Sequence, residues 1–104
     1  MKRGDIRWYE FKSPDKNRPV LILTRNSVIQ YMGEVTIAPI TKTIRNIPSE
    51  VILSPDDGML RECAINCDHL QTVSKARLGA RITTLTQHQM KQVQEALTFA
   101  LGFE

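Results

Sequence analysis

Two apolar runs in this chain of 104 residues end in groups that can do chemistry. Arg18-Pro19-Val20-Leu21-Ile22-Leu23-Thr24-Arg25 opens on a guanidinium and closes on a hydroxyl and a second guanidinium. Val35-Thr36-Ile37-Ala38-Pro39-Ile40-Thr41 closes on a hydroxyl and leads directly into Lys42-Thr43-Ile44-Arg45. Their valine and isoleucine content marks both as strands. If the two pair antiparallel, the start of the first lies near the end of the second, and Arg18 comes beside Thr41. A cation and a hydroxyl would then be held together by stiff elements.

The charge pattern says what such a pair could meet. Formal net charge is +3, a mild bias by itself. Residues 12–45 carry six Lys or Arg against two acidic residues, whereas 46–70 carry one against five. Such an oriented field suits the steering of a phosphate backbone to one face. Cys63 and Cys67 are too few and too local for a disulfide scaffold and are expected as reduced, partly buried thiols. Asp68 and His69 stand next to Cys67, but no spaced second pair of ligands follows, so neither a metal nor another cofactor is expected. The longest apolar stretches fall well short of a membrane span, and no long apolar leader opens the chain. One domain over residues 1–104, in the cytoplasm, is the expectation.

Short elements must position these groups. Ile6-Arg7-Trp8-Tyr9-Glu10-Phe11 alternates with period two, which predicts a half-buried strand with Ile6 and Trp8 on one face and Arg7 and Tyr9 on the other. Trp8 is therefore expected in the core rather than as a stacking surface. Residues 12–17 are polar and turn-rich, hence a loop. Val20 to Leu23 is apolar at consecutive positions, so both faces are covered, with Pro19 at the strand's beginning. Asn26 is a candidate cap for a short helical turn. Pro39 argues for an edge, a bulge or a strand end. Val51-Ile52-Leu53 and Glu62 to Cys67 read as strands, separated by the turn Ser54-Pro55-Asp56-Asp57-Gly58. Ser74 can cap a single turn over 75–77, and Gly79 permits a reversal before a strand over 81–84. Thr86 and Gln89 form a capping box, and Leu85 with Met90 a hydrophobic staple. Met90, Val93, Leu97 and Leu101, widened by Ala96 and Ala100, make the buried stripe of a terminal helix ended by Gly102. Six or so short strands and one firm helix predict a small, strongly curved, barrel-like antiparallel sheet packed with that helix.

In order along the chain, Arg3-Gly4-Asp5-Ile6, Arg18-Pro19-Val20-Leu21-Ile22, Val35 to Thr41, the turn before Glu62, and Asp68-His69-Leu70-Gln71-Thr72-Val73-Ser74-Lys75-Ala76-Arg77-Leu78-Gly79 resemble the MazF/PemK/Kid family of toxin endoribonucleases. The resemblance runs nearly end to end. It implies a homodimer of SH3-like barrels, mainly β with a C-terminal helix, that cleaves single-stranded RNA at short sequences. It also implies a cognate antitoxin whose acidic, partly disordered tail occupies the RNA groove. The family's catalytic pair carries over to Arg18 and Thr41. Cleavage by the RNA's own 2′-OH needs no metal and leaves a 2′,3′-cyclic phosphate and a 5′-hydroxyl. Arg18 would stabilise the phosphorane, and Thr41 would hold a phosphate oxygen or the attacking hydroxyl.

Arginine is a poor general base, because its pKa lies above about 12. His69, after Asp68, has the ordinary pKa that suits proton transfer near neutrality, and both are candidates for a catalytic or base-contacting role. RNA contacts are expected from Thr24, Arg25, Lys42, Thr43, Arg45, Asn66 and Gln71, with base edges read by polar loop groups. Asn66 stands where Kid-like members have an arginine, so a mechanism using that arginine as general acid does not transfer. Gln71 likewise replaces a usual arginine. The loop at 12–17 lacks the Gly-Ser-Glu-Gln-type stretch of many members, which implies a different recognition sequence. Competing readings are a CcdB-like poison of DNA gyrase, an RNA- or antitoxin-binding member that does not cut, and a small β-barrel interaction module. Gly102-Phe103-Glu104 matches the aromatic-glycine end of CcdB only loosely.

Overall fold

Residues 1–12 and 17–103 are described by the computed structural model. In chain order they form β1 (Asp5–Glu10), β2 (Asn17–Ile22), α1 (Asn26–Ile29), β3 (Glu34–Thr41), β4 (Glu50–Leu53), β5 (Cys63–Asn66), β6 (Gln71–Ser74), β7 (Leu78–Thr84) and α2 (Gln87–Leu101). The expected loop at 12–17 falls largely on residues 13–16, which lie outside the described residues; Asn17 already belongs to β2.

The pairings are antiparallel, in the order β4-β5-β3-β2-β1-β7, with β6 also on β3. β3 is the hub. One edge meets β2; the other meets β6 over residues 34–37 and then β5 over 40–41. A strand that changes partner along one edge bends the sheet, and the result is a strongly curled half-barrel with a C-terminal helix, as expected.

The chain's most apolar run sits in the middle of this sheet because it has a core on each face. Leu21 and Leu23 join Ile6, Ala38, Ile40 and the Val93 and Ala96 face of α2. Val20 and Ile22 join Tyr9, Ile29, Val35, Ile37 and Val73 on the other side. Period-two alternation then buries every residue from Val20 to Leu23. β1 is covered more fully than its pattern predicts, since Ile6 belongs to one core and Tyr9 to the other.

Two prolines shape the ends of β2 and β3. Pro39 lies where the partner of β3 changes from β6 to β5, so its missing N–H interrupts no continuous ladder. Pro19 lies inside β2, opposite Trp8 of β1, rather than at the strand's beginning. The β2–β3 ladder stops at Val20–Pro39. Leu23 donates its N–H to the Thr36 carbonyl at 2.9 Å. Alternation of bonded and unbonded steps then makes Pro19–Ile40 a bonded step, one that Pro19 has no N–H to serve. Beyond it β2 stays with β1 while β3 goes with β5, and a fork opens between their ends.

Other local readings hold with adjusted bounds. Ser54 and Asp57 form a capping box closed by Gly58 at φ 95°, Ser74 Oγ accepts from the Ala76 N–H, and Thr86 with Gln89 caps α2, which ends at Gly102 with φ 77°. Asn26 caps nothing: it is the first residue of α1, and its side chain accepts from the Arg3 N–H at 2.7 Å. Gly79 makes no reversal but lies within β7, where a Cβ would stand 3.5 Å from the Trp8 Cβ. Leu101 is exposed at the end of α2, because the stripe has by then run past the sheet. Among the described residues no helix is long and apolar enough to cross a membrane.

Candidate active site at the strand fork

A cavity of about 550 Å³ fills the fork. The diverging ends of β2 and β3 supply Asn17, Arg18 and Pro19 on one side and Ile40, Thr41 and Lys42 on the other. Trp8 of β1 and Ile82 of β7 form a further wall, and Met59, Leu60, Arg61 and Cys63 complete it. Arg18, Lys42 and Arg61 thus face one space that, among the described residues, no carboxylate lines. Three cations lining one space suit an anion.

Thr41 is half-buried, and its Oγ accepts from the Thr43 N–H at 3.0 Å. That bond fixes the oxygen and leaves the O–H directed elsewhere as a donor. The loop after Thr41 is pinned from below. Glu50 Oε1 accepts from the N–H groups of Arg45 and Asn46 at 3.0 and 3.2 Å, and Asn46 takes the left-handed φ of 59°. Thr43 and Arg45 are exposed on this loop, one and three residues beyond Lys42. The sheet therefore brings together Arg18, Thr41 and Lys42, and keeps Thr43 and Arg45 nearby.

Other candidates stand apart. Thr24 and Arg25 follow the opposite end of β2 from Arg18, and Thr24 Oγ accepts from the Thr36 N–H at 2.7 Å, extending the ladder. Gln71 is exposed on β6 opposite Ile37. Asn66, Asp68 and His69 form a separate network. Asn66 Oδ1 accepts from the Asp68 N–H at 2.9 Å, which turns its amide nitrogen to His69 Nδ1 at 3.0 Å. Asp68 Oδ2 takes the Ser49 hydroxyl at 2.6 Å, and Ser49 is fully buried. None of these groups lines the cavity.

Trp8, Asn17 and Arg61 do line it and were missed by sequence reasoning. Arg61 follows the Ser54–Gly58 turn, and only the fold carries that segment to the mouth of the fork. Both cysteines are free and buried. Burial, with Asp57 and Glu62 nearby, pushes the Cys63 thiol up, and burial with Asp68 pushes Cys67 to about 11. Neither is a nucleophile near neutral pH.

Comparison with known proteins decides the family. Residues 2–101 match the model described as PemK-like, MazF-like toxin of type II toxin–antitoxin system. The chain belongs to this family. Curated relatives include Endoribonuclease MazF3 of Mycobacterium tuberculosis, 40% identical over 90 residues covering 86% of this chain and 87% of the relative. Probable endoribonuclease MazF5 of the same species is 36% identical over 95% of this chain and 91% of its own. These names bear out the endoribonuclease class expected for the MazF-like chain. Among solved structures, Mycobacterium tuberculosis toxin MazF-mt6 superposes with a TM-score of 0.87 at 36% identity, covering 94% of this chain and 96% of that one. A mycobacterial endoribonuclease in complex with its cognate antitoxin reaches the same TM-score at 27% identity, covering 100% and 97%. The gyrase-poison alternative is not favoured by these relatives.

Proposed function

We propose that this MazF-like chain is a metal-independent endoribonuclease that cuts single-stranded RNA at a short sequence, acting as a homodimeric toxin in the cytoplasm. The observation that carries the reading is Arg18 and Thr41 on the two arms of one cation-lined fork. In the reaction the 2′-hydroxyl gives up its proton as its oxygen bonds to phosphorus, the bond to the 5′-oxygen breaks and that oxygen takes up a proton, and negative charge builds on the phosphoryl oxygens. Arg18 meets that charge with two parallel donors, and Lys42 and Arg61 add to the field. Thr41, its oxygen already held by Thr43, donates its O–H to a phosphoryl oxygen. The products are a 2′,3′-cyclic phosphate and a 5′-hydroxyl. His69 and Asp68, outside the fork, serve in this reading as base contacts along the RNA path.

A cognate antitoxin is the natural inhibitor. The mycobacterial neighbour solved with its antitoxin supports such a partner, and an acidic, partly disordered tail suits the three cations of the fork. Exposed Ile52 and Phe99 offer apolar surface for a second copy. Sedimentation of the isolated protein at twice the chain mass is the expected result.

The direct test is incubation of the purified protein with long single-stranded RNA in EDTA, followed by end mapping, beside Arg18→Ala and Thr41→Ala. Cuts at one short sequence with cyclic-phosphate ends, absent from both variants, are expected. If folded, dimeric protein cuts no RNA in a set covering all short sequences, the nuclease reading fails.

A further inference from the structure

Trp8 is the sole tryptophan of the chain, and it is only half-buried. Its side chain lines the fork with Arg18 and Thr41, and it also lines a second pocket of about 380 Å³ on the far side. Asn17 is the other residue common to both. The two spaces therefore share Trp8 and Asn17 as a common wall.

The surroundings cover the ring only in part. Across β1, Trp8 faces Pro19 of β2. On the β7 side stand Gly79 and Ala80, and a Cβ at Gly79 would already be 3.5 Å from the Trp8 Cβ. That is ordinary van der Waals contact, so Gly79 and Ala80 are simply the small residues on this side of Trp8.

Chemistry changes across the divide. Among the described residues, the fork has cations and no carboxylate, whereas the second pocket has the Glu10 carboxylate beside Asn17. The cation in that second lining, Arg77, is engaged over the Tyr9 ring at 5.6 Å. A phosphate suits the first space. The second suits a neutral base edge that offers N–H groups to an acceptor.

We propose that Trp8 is the stacking platform for the nucleobase next to the cleaved phosphate, and that the Glu10–Asn17 pocket beyond it receives the following base, one bearing an exocyclic amine. This rests on the endoribonuclease reading. It makes Trp8 a specificity-determining contact rather than the core residue its strand pattern predicts, because the face it shares with Ile6 runs out of core at the fork.

The single tryptophan gives a direct readout. An oligonucleotide carrying the mapped cleavage sequence, with a 2′-deoxy sugar at the cut step to remove the nucleophile, is titrated into wild-type protein. Fluorescence anisotropy of a labelled oligonucleotide measures occupancy, and tryptophan emission measures stacking. Emission is expected to be quenched at saturation, and to recover when the base beside the cut is replaced by an abasic sugar. In cleavage assays Trp8→Ala should raise KM about ten-fold or more while kcat changes less, and Trp8→Phe should restore most of it. Replacing Glu10 by Gln should relax selection at the following base. Unchanged emission at full occupancy, or equal KM for Trp8→Ala and wild type, would overturn the proposal while leaving the nuclease reading intact. Absence of any cutting by wild type would instead sink the reading on which it rests.

Discussion

At the scale of the residue, the roles proposed for Arg18 and Thr41 differ in the geometry of their donors. Thr41→Val keeps the shape of the side chain and removes the O–H. Loss of one preorganised donor to a transition-state oxyanion costs about a hundred-fold in kcat. That drop is expected in single-turnover cleavage, with Thr41→Ser retaining most activity. Arg18→Lys keeps the charge but loses the fork of donors, and should leave activity much nearer Arg18→Ala than wild type. Cys67 sets a different test. Its pKa rises from 9.0 to about 11 on folding, so the folded state holds a proton that the unfolded state releases first. Stability from this thiol is complete below pH 9.0 and is lost as pH climbs through about 11. The urea midpoint should fall over that window, and fall less in Cys67→Ala after allowing for its lower starting stability.

At the scale of the element, the fork depends on a missing N–H. Pro19→Ala restores a donor at the step facing Ile40 and lets the β2–β3 ladder run on toward Arg18 and Thr41. Closure of the fork is expected to slow cleavage without lowering the melting temperature. Slow exchange of the new amide at 19, followed by NMR, would show the bond; rapid exchange would rule out this account of the ladder's end. The C-terminal helix is held by ordinary means. Thr86 accepts from the Gln89 N–H at 3.1 Å while Gln89 returns its side chain to the Thr86 N–H at 2.9 Å. Thr86→Ala should cost about 1 kcal/mol in chemical denaturation. Because α2 contributes no lining residue to the fork, cleavage below the melting transition should be unaffected.

At the scale of the whole molecule, three cations facing one space predict binding that weakens with salt. For single strands, log K falls with log salt by about 0.7 per phosphate neutralised, so three contacts give a slope of about −2. Anisotropy with the 2′-deoxy oligonucleotide between 50 and 300 mM salt, on the order of the range where such slopes are linear, measures it. Arg61→Ala should reduce the slope by about 0.7. An unchanged slope would remove Arg61 from the RNA path. The curvature that gathers these cations comes from β3 exchanging β6 for β5 along one edge, a property of the sheet as a whole.

What was legible in the sequence was local or repetitive. Val20 to Leu23 announced a strand covered on both faces, because consecutive apolar residues have no solvated side. Ser54 to Gly58 and Thr86 to Gln89 announced a turn and a helix start, because capping uses bonds between residues three apart. That Arg18 and Thr41 stand at neighbouring strand ends followed from antiparallel pairing; the structure has both lining one cavity. Residues brought in from distant segments were not legible. Arg61 and Trp8 reach the fork from either side of β2 and β3, and nothing in their own neighbourhoods marks that destination. The strand pattern put Trp8 in the core on the face of Ile6, which is where it points; only the tertiary structure decided that the core ends there and a groove begins. His69 is tied locally to Asn66, three residues back, and only the fold decided that neither lines the fork. Periodicity and capping are encoded within a few residues, whereas a cavity is made by the divergence of strands whose partners lie dozens of residues away.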